Sequence, residues 1–187
     1  RNSITIYYDN LRGEFQDELD RLPIKFDTGT IFEVDELLIK HKKFGPGRFI
    51  HQWIIGMLER DTGKVVFLPV PDRSSDSLIS IIQEYIPAHS LVFTDDWGSS
   101  RSLNSLGYRH YHVNHSAKEY SRDERIDGDI VKVTINTLEG MKRVVRQRFS
   151  NKSRRNSERI ELSLGELMYR YSGRSLFYPF KTTALNK

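Results

Sequence analysis

The chain has 187 residues, 37% hydrophobic and 29% charged, the proportions of a globular domain rather than a disordered segment. It contains no cysteine, which excludes disulfides, thiol nucleophiles and cysteine-based zinc sites; no run of about 18 apolar residues is present, which excludes a membrane-spanning helix. Net charge is +4, but Lys142, Arg143, Arg146, Arg148, Lys152, Arg154, Arg155 and Arg159 cluster against a single acid, Glu158, a block that suits a phosphate backbone and equally a solvated face.

In chain order, Ile4, Tyr7, Tyr8, Leu11, Phe15, Leu19 and Leu22 recur at helical spacing and predict a helix over 4–22, stopped by Pro23. After a turn at Asp27-Thr28-Gly29, residues 30–40 read as a strand. Gly45-Pro46-Gly47 marks a hairpin loop within 41–51. A second strand over 52–60 turns at Asp61-Thr62-Gly63-Lys64 into a third, 65–70. A helix follows over 75–86, then a short apolar strand, 90–94, running into Asp95-Asp96. The pattern continues with a short helix over 99–106, a fifth strand over 108–113 and a polar, exposed loop over 116–129. Two helices, 134–149 and 157–171, complete it. On the first of these, Lys142 falls inside the apolar face and is expected to snorkel out to solvent.

Three hairpin-connected strands, then a helix, a strand, a helix, a strand and a helix give an α/β fold. A helix crosses from the third strand to the fourth, which places the fourth parallel to the first. The expected result is a five-stranded mixed sheet in the order 3-2-1-4-5, flanked by helices, which is the ribonuclease-H-like order.

This order bears on three acids. Asp35 lies within an apolar strand, where a carboxylate is costly to bury without compensation. Asp95 and Asp96 follow directly on another apolar strand, where sites of open α/β sheets sit. Glu139 lies on the long helix. Each has an ordinary reading as an edge residue, a turn residue or a surface acid. Their joint placement allows them to converge, and converged carboxylates repel unless a cation intervenes. Hard oxygen ligands select Mg²⁺ or Mn²⁺, and two such ions can activate a nucleophile and stabilise the leaving oxygen on a phosphodiester.

Several motifs then resemble one family. Glu33-Val34-Asp35-Glu36 resembles the first-acid motif of Merlin-type DDE transposases and their bacterial insertion-sequence relatives. Gln52-Trp53-Ile54-Ile55-Gly56 is similar to that family's second strand, and Pro69-Val70-Pro71-Asp72-Arg73-Ser74 to its third-strand exit. Thr94-Asp95-Asp96-Trp97 resembles the second-acid motif, Val113-Asn114-His115-Ser116 the fifth-strand exit, and Asn136-Thr137-Leu138-Glu139 the third-acid motif.

The resemblance implies a DNA transposase that cleaves and joins transposon ends by a two-metal-ion mechanism. Asp35, Asp95 and Glu139 are then the catalytic, metal-binding residues, with two Mg²⁺ (or Mn²⁺) ions per site; Trp97 assigns the second acid to Asp95. A domesticated derivative that binds DNA or protein without catalysis is the alternative. Lys40, Lys42, Lys43, Arg48, His51, His115, Asn136, Arg143, Arg146, Lys152, Arg154 and Arg155 are the implied contacts to double-stranded DNA. For His115, contact with an acid and a turn-histidine role stand beside this. Residues 1–24 are expected to be the end of an N-terminal DNA-binding region whose remainder has been removed or lost, 25–175 the catalytic domain and 176–187 a C-terminal tail. A homodimer is implied, because transposition joins two ends; the location is nuclear in a eukaryotic host and cytoplasmic in a bacterium.

Overall fold

The computed structural model describes residues 2–26, 31–42, 49–95, 98–149 and 157–172. Among these residues, four α-helices and seven strands run in the order α1 (Asn2–Arg21), β1 (Ile31–Lys42), β2 (Phe49–Glu59), β3 (Val65–Val70), α2 (Ser75–Tyr85), β4 (Leu91–Asp95), β5 (Arg109–Val113), β6 (Ser121–Ile126), β7 (Asp129–Thr134), α3 (Asn136–Arg148) and α4 (Ser157–Tyr171). The segment Gly98–Leu106 is a 3-10 helix rather than an α-helix. The turn at Asp27-Thr28-Gly29 and the Gly45-Pro46-Gly47 loop lie outside the described residues.

The main sheet has the order β3-β2-β1-β4-β5, the ribonuclease-H-like order expected from the sequence. β1 is antiparallel to β2, with Asp35 opposite Gly56, and parallel to β4, with Val34 beside Thr94. Side chains alternate between the two faces of each strand. Phe32 and Val34 point to one face, where they pack with Ile55, Met57 and Val92 against Leu78 and Ile82 of α2 and Phe15 and Leu19 of α1. Leu37 and Ile39 point to the other, packing with Ile54 and Phe67 against Leu138, Val145 and Phe149 of α3 and Leu164 of α4. Asp35 shares this second face.

The polar segment 116–129 is not a loop. After a short 3-10 turn at His115–Ala117, β6 and β7 form an antiparallel hairpin. Its tight turn places Asp127 at φ 53° and Gly128 at φ 94°, the two successive left-handed positions of a hairpin turn that favours Asp-Gly. The hairpin's Ile126 and Val133 pack with Ile135 onto Phe93 and Val113, covering the β4–β5 part of the face that α3 covers beside β1.

On α1 the apolar stripe is only half used. Phe15 and Leu19 are buried, whereas Ile6, Tyr7, Tyr8 and Leu22 stand exposed. Phe15 lies 4.7 Å from the Tyr169 ring of α4. Arg12, Arg148 and Arg170, from α1, α3 and α4, converge on the buried Glu166 carboxylate. Among the described residues no helix is long and apolar enough to cross a membrane.

Candidate active site

The chemistry-bearing end of the sheet begins at Asp35, in the middle of β1 and 8% exposed. A carboxylate survives there only with partners. Its Oδ1 accepts a 2.6 Å hydrogen bond from the Glu36 backbone N–H, and its Oδ2 is paired with the Lys142 ammonium of α3. The same ammonium lies 2.9 Å from Oε1 of Glu139, one helical turn earlier. Arg146 stands 3.9 Å from Oε2 of Glu139. Burial dominates at Asp35 and raises its pKa above the ordinary carboxylate value, against the lowering pull of Lys142. Burial also pushes Glu139 upward, but the hydrogen bond and charge of Lys142, followed by Arg146, outweigh it and hold that carboxyl below its usual range.

Lys142 therefore does not snorkel. It is 3% exposed, on the buried side of α3 with Leu138 and Val145, because two carboxylates await it there. Its charge is not part of the basic surface that the sequence suggests.

Asp95 ends β4, one residue beyond the Val34–Thr94 pairing, so it stands on the strand beside Asp35. Its side chain shares the face of Phe93, which is the α3 face. His115 Nδ1 lies 3.7 Å from Asp95 Oδ2, and the His115 ring is 5.3 Å from that of Tyr120. Its Nε2 is buried without a hydrogen-bond partner.

The structure thus joins Asp35 to Glu139 through Lys142 and seats Asp95 on the neighbouring strand beside His115. Asn136, Arg143, Arg146 and His51 are exposed. Lys40 and Lys42 lie on β1, but their side chains are outside what is described. Lys43, Arg48, Asp96, Trp97, Lys152, Arg154 and Arg155 lie outside the described residues, as does the 176–187 tail. Trp53 is partly buried, with the Arg73 guanidinium 4.5 Å above its ring.

Two further residues hold the site and were not singled out by sequence. Glu33, fully buried two residues before Asp35 and on the same face, accepts a 2.8 Å hydrogen bond from the backbone N–H of Leu138. The α3 N-cap, Ile135, provides no side-chain cap, so a carboxylate from a distant strand satisfies one of the free N–H groups of the first turn. Arg60 donates to Glu33 at 3.0 Å and to the carbonyls of Lys132 and Thr134, and lies over the Phe93 ring. Together they clamp β1, β7 and the start of α3 at the residue next to Glu139. The parity of Glu33 with Asp35 in an apolar strand was the available signal. Gly56 is the other requirement: a Cβ there would stand 2.8 Å from Phe67 Cε1 and 3.2 Å from Leu138 Cδ1.

Asp35, Asp95 and Glu139 offer only carboxylate oxygens, the donor chemistry of a hard divalent cation. Among the described residues, however, no three acidic or histidine side chains are grouped so as to hold a metal ion. The donor chemistry fits Mg²⁺ or Mn²⁺, and two of the three acids are paired here with the Lys142 ammonium.

A family model for the ISXO2-like transposase domain matches residues 32–172, about three quarters of the chain. A search of curated proteins finds no match. Among solved structures, the chain is similar to one from a simian T-cell lymphotropic virus intasome in complex with PP2A regulatory subunit B56 gamma. Identity is 12%, the TM-score 0.45, and the match covers 81% of this chain and 58% of that one, so the chain spans less than two thirds of its length. It is also similar to the HTLV-2 integrase catalytic core domain in complex with magnesium. In the dimeric form identity is 8% and the TM-score 0.42, covering 81% and 100% of the two chains; in the trimeric form identity is 11% and the TM-score 0.41, covering 85% and 84%.

Proposed function

The chain belongs to the ISXO2-like transposase family, and from that premise we propose that it is a DDE transposase core that cleaves and joins DNA at transposon ends, with Asp35, Asp95 and Glu139 as its catalytic acids. The observation that supports this reading best is that Asp35 and Asp95 share the face of the sheet on which α3 packs, with Glu139 of that helix joined to Asp35 through a single cation. The motifs around them favour a Merlin-type affiliation within the DDE transposases.

On this reading the three carboxylates would hold two Mg²⁺ or Mn²⁺ ions, which when bound supply activation of a water or 3′-hydroxyl and stabilisation of the leaving oxygen. The protein's own part is to hold and orient. Glu33 and Arg60 fix the first turn of α3 and with it Glu139. His115 orients Asp95 from the β5 exit. Exposed Asn136, Arg143, Arg146 and His51, together with Lys40, Lys42, Lys43, Arg48, Lys152, Arg154 and Arg155, would grip phosphates of double-stranded DNA, contacts that position without reading sequence. Residues 25–175 are assigned to the catalytic domain and 176–187 to a tail, while α1 of the 1–24 segment packs through Phe15 and Leu19 into the same core. A homodimer bridging two ends is part of the proposal, as is a nuclear location in a eukaryotic host or a cytoplasmic one in a bacterium.

The test is nicking of supercoiled plasmid DNA in Mn²⁺ by the parent chain and by Asp35→Asn, Asp95→Asn and Glu139→Gln. Each substitution should reduce nicking by about a hundredfold or more. Equal nicking by all four proteins would overturn the assignment. One observation favours a second reading, a transposase-derived domain that binds DNA or protein without catalysis: Asp35 and Glu139 already share a protein cation, the Lys142 ammonium. No nicking by the parent, with DNA binding retained, is the result expected of that alternative.

A further inference from the structure

Lys142 carries a charge where the helix pattern calls for an apolar side chain. Leu138, Val145 and Phe149 share its face of α3 and enter the core, and at 3% exposed Lys142 is buried with them. A lone ammonium at such a place is costly, and so is a pair of facing carboxylates. Each cost offsets the other, because the ammonium contacts Oδ2 of Asp35 and Oε1 of Glu139 at once. No other described basic group is placed to substitute: Arg146 is half exposed and reaches only the outer oxygen of Glu139, at 3.9 Å.

We propose that Lys142 is the resident counter-cation of the Asp35–Glu139 pair, and that a divalent ion binds these acids only by displacing its ammonium. The inference rests on the metal-dependent reading above. The carboxylates are assembled before any ion arrives, held by a monovalent charge on a flexible four-carbon stem. An incoming divalent ion competes for the same oxygens with twice the charge. The displaced ammonium moves toward the helix margin that bears Arg143 and Arg146, where its stem can follow the apolar surface while its head reaches water or a phosphate. Lys142 is thus a positioning residue, acting through the two acids.

The test combines calorimetric titration of Mn²⁺ into the parent chain, Lys142→Met and Lys142→Gln with thermal melts of these proteins and of the Lys142→Met/Asp35→Asn double variant in EDTA. Glutamine serves as the second variant because it keeps a polar side chain without the charge. Both single variants should bind Mn²⁺ at least about tenfold more tightly than the parent. Both should melt lower in EDTA and recover on addition of Mn²⁺. In EDTA, Asp35→Asn should restore part of the loss caused by Lys142→Met, since it removes one of the two repelling charges. A lysine that merely filled space would leave Mn²⁺ affinity unchanged or lower it. Mn²⁺ binding by the parent with no tighter binding in either variant, or EDTA melts in which Asp35→Asn restores nothing lost in Lys142→Met, would overturn the inference. Should no protein bind Mn²⁺ while the EDTA melts still couple Lys142 to Asp35, the counter-cation stands and the metal-dependent reading falls.

Discussion

On β5, the His110 ring shares a 2.8 Å hydrogen bond with Thr94 Oγ1, next to Asp95, and stacks beside His112. Burial, and then the charge of His112, lowers its pKa from 6.5 to about 4. A base whose folded pKa is depressed is protonated first in the unfolded chain, so acid favours unfolding. The contribution is fully present above pH 6.5 and is lost as the pH falls toward 4. Melting temperatures measured across that interval should fall less steeply for His110→Gln than for the parent; parallel curves would refute the assignment. Gly56 offers a second test at this scale. Gly56→Ala places a methyl against Phe67 and Leu138, and overpacking of this kind costs about 1–3 kcal/mol. Because Leu138 precedes Glu139, the substitution should also lower Mn²⁺ affinity, whereas a purely local packing defect would lower only the melting temperature.

Among the elements, α3 is the one whose placement decides the site. Glu33 is fully buried and Arg60 is its cation, so Glu33→Gln leaves a guanidinium without its charge partner. Breaking one side of a buried pair typically costs about 3–5 kcal/mol. Denaturant unfolding should register that loss, and the Glu33→Leu/Arg60→Met double variant should be more stable than Glu33→Gln; additivity of the two single changes would argue against the clamp. The sequence makes some elements legible and not others for definite reasons. β3 and α4 fall at the expected residues because a short apolar run behind the Asp61-Thr62-Gly63-Lys64 turn and a 3.6-residue stripe, respectively, mark them. β6 carries Arg122, Asp123, Glu124 and Arg125 in succession, so no apolar alternation signals a strand, and only Asp127-Gly128 betrays the hairpin turn. The positions of Asp35 and Asp95 follow from strand order alone. The Lys142 contact does not, since its partner Asp35 lies 107 residues earlier and periodicity describes one element at a time.

At the scale of the molecule, one carboxylate ties three helices together. Glu166 of α4, 6% exposed, accepts from Arg12 of α1, Arg148 of α3 and Arg170 of α4. Burial pushes its pKa up, but Arg12 and Arg148 outweigh this and hold it below the ordinary value. Glu166→Gln should therefore destabilise the whole domain by about 3–5 kcal/mol rather than fray one helix. Hydrogen exchange would distinguish these outcomes, since a change confined to α4 amides would contradict a shared node. Glu166 also holds the far end of α3 through Arg148, while Glu33 holds its near end at Leu138. The helix is a beam fixed at both supports, with Lys142 along its span. With both ends of the helix held, exchange of one cation for another is expected to proceed by torsions of a single side chain rather than by displacement of the helix. The backbone amides of α3 should then exchange with solvent at the same rates before and after Mn²⁺ is added, while the Lys142 ammonium alone changes its surroundings.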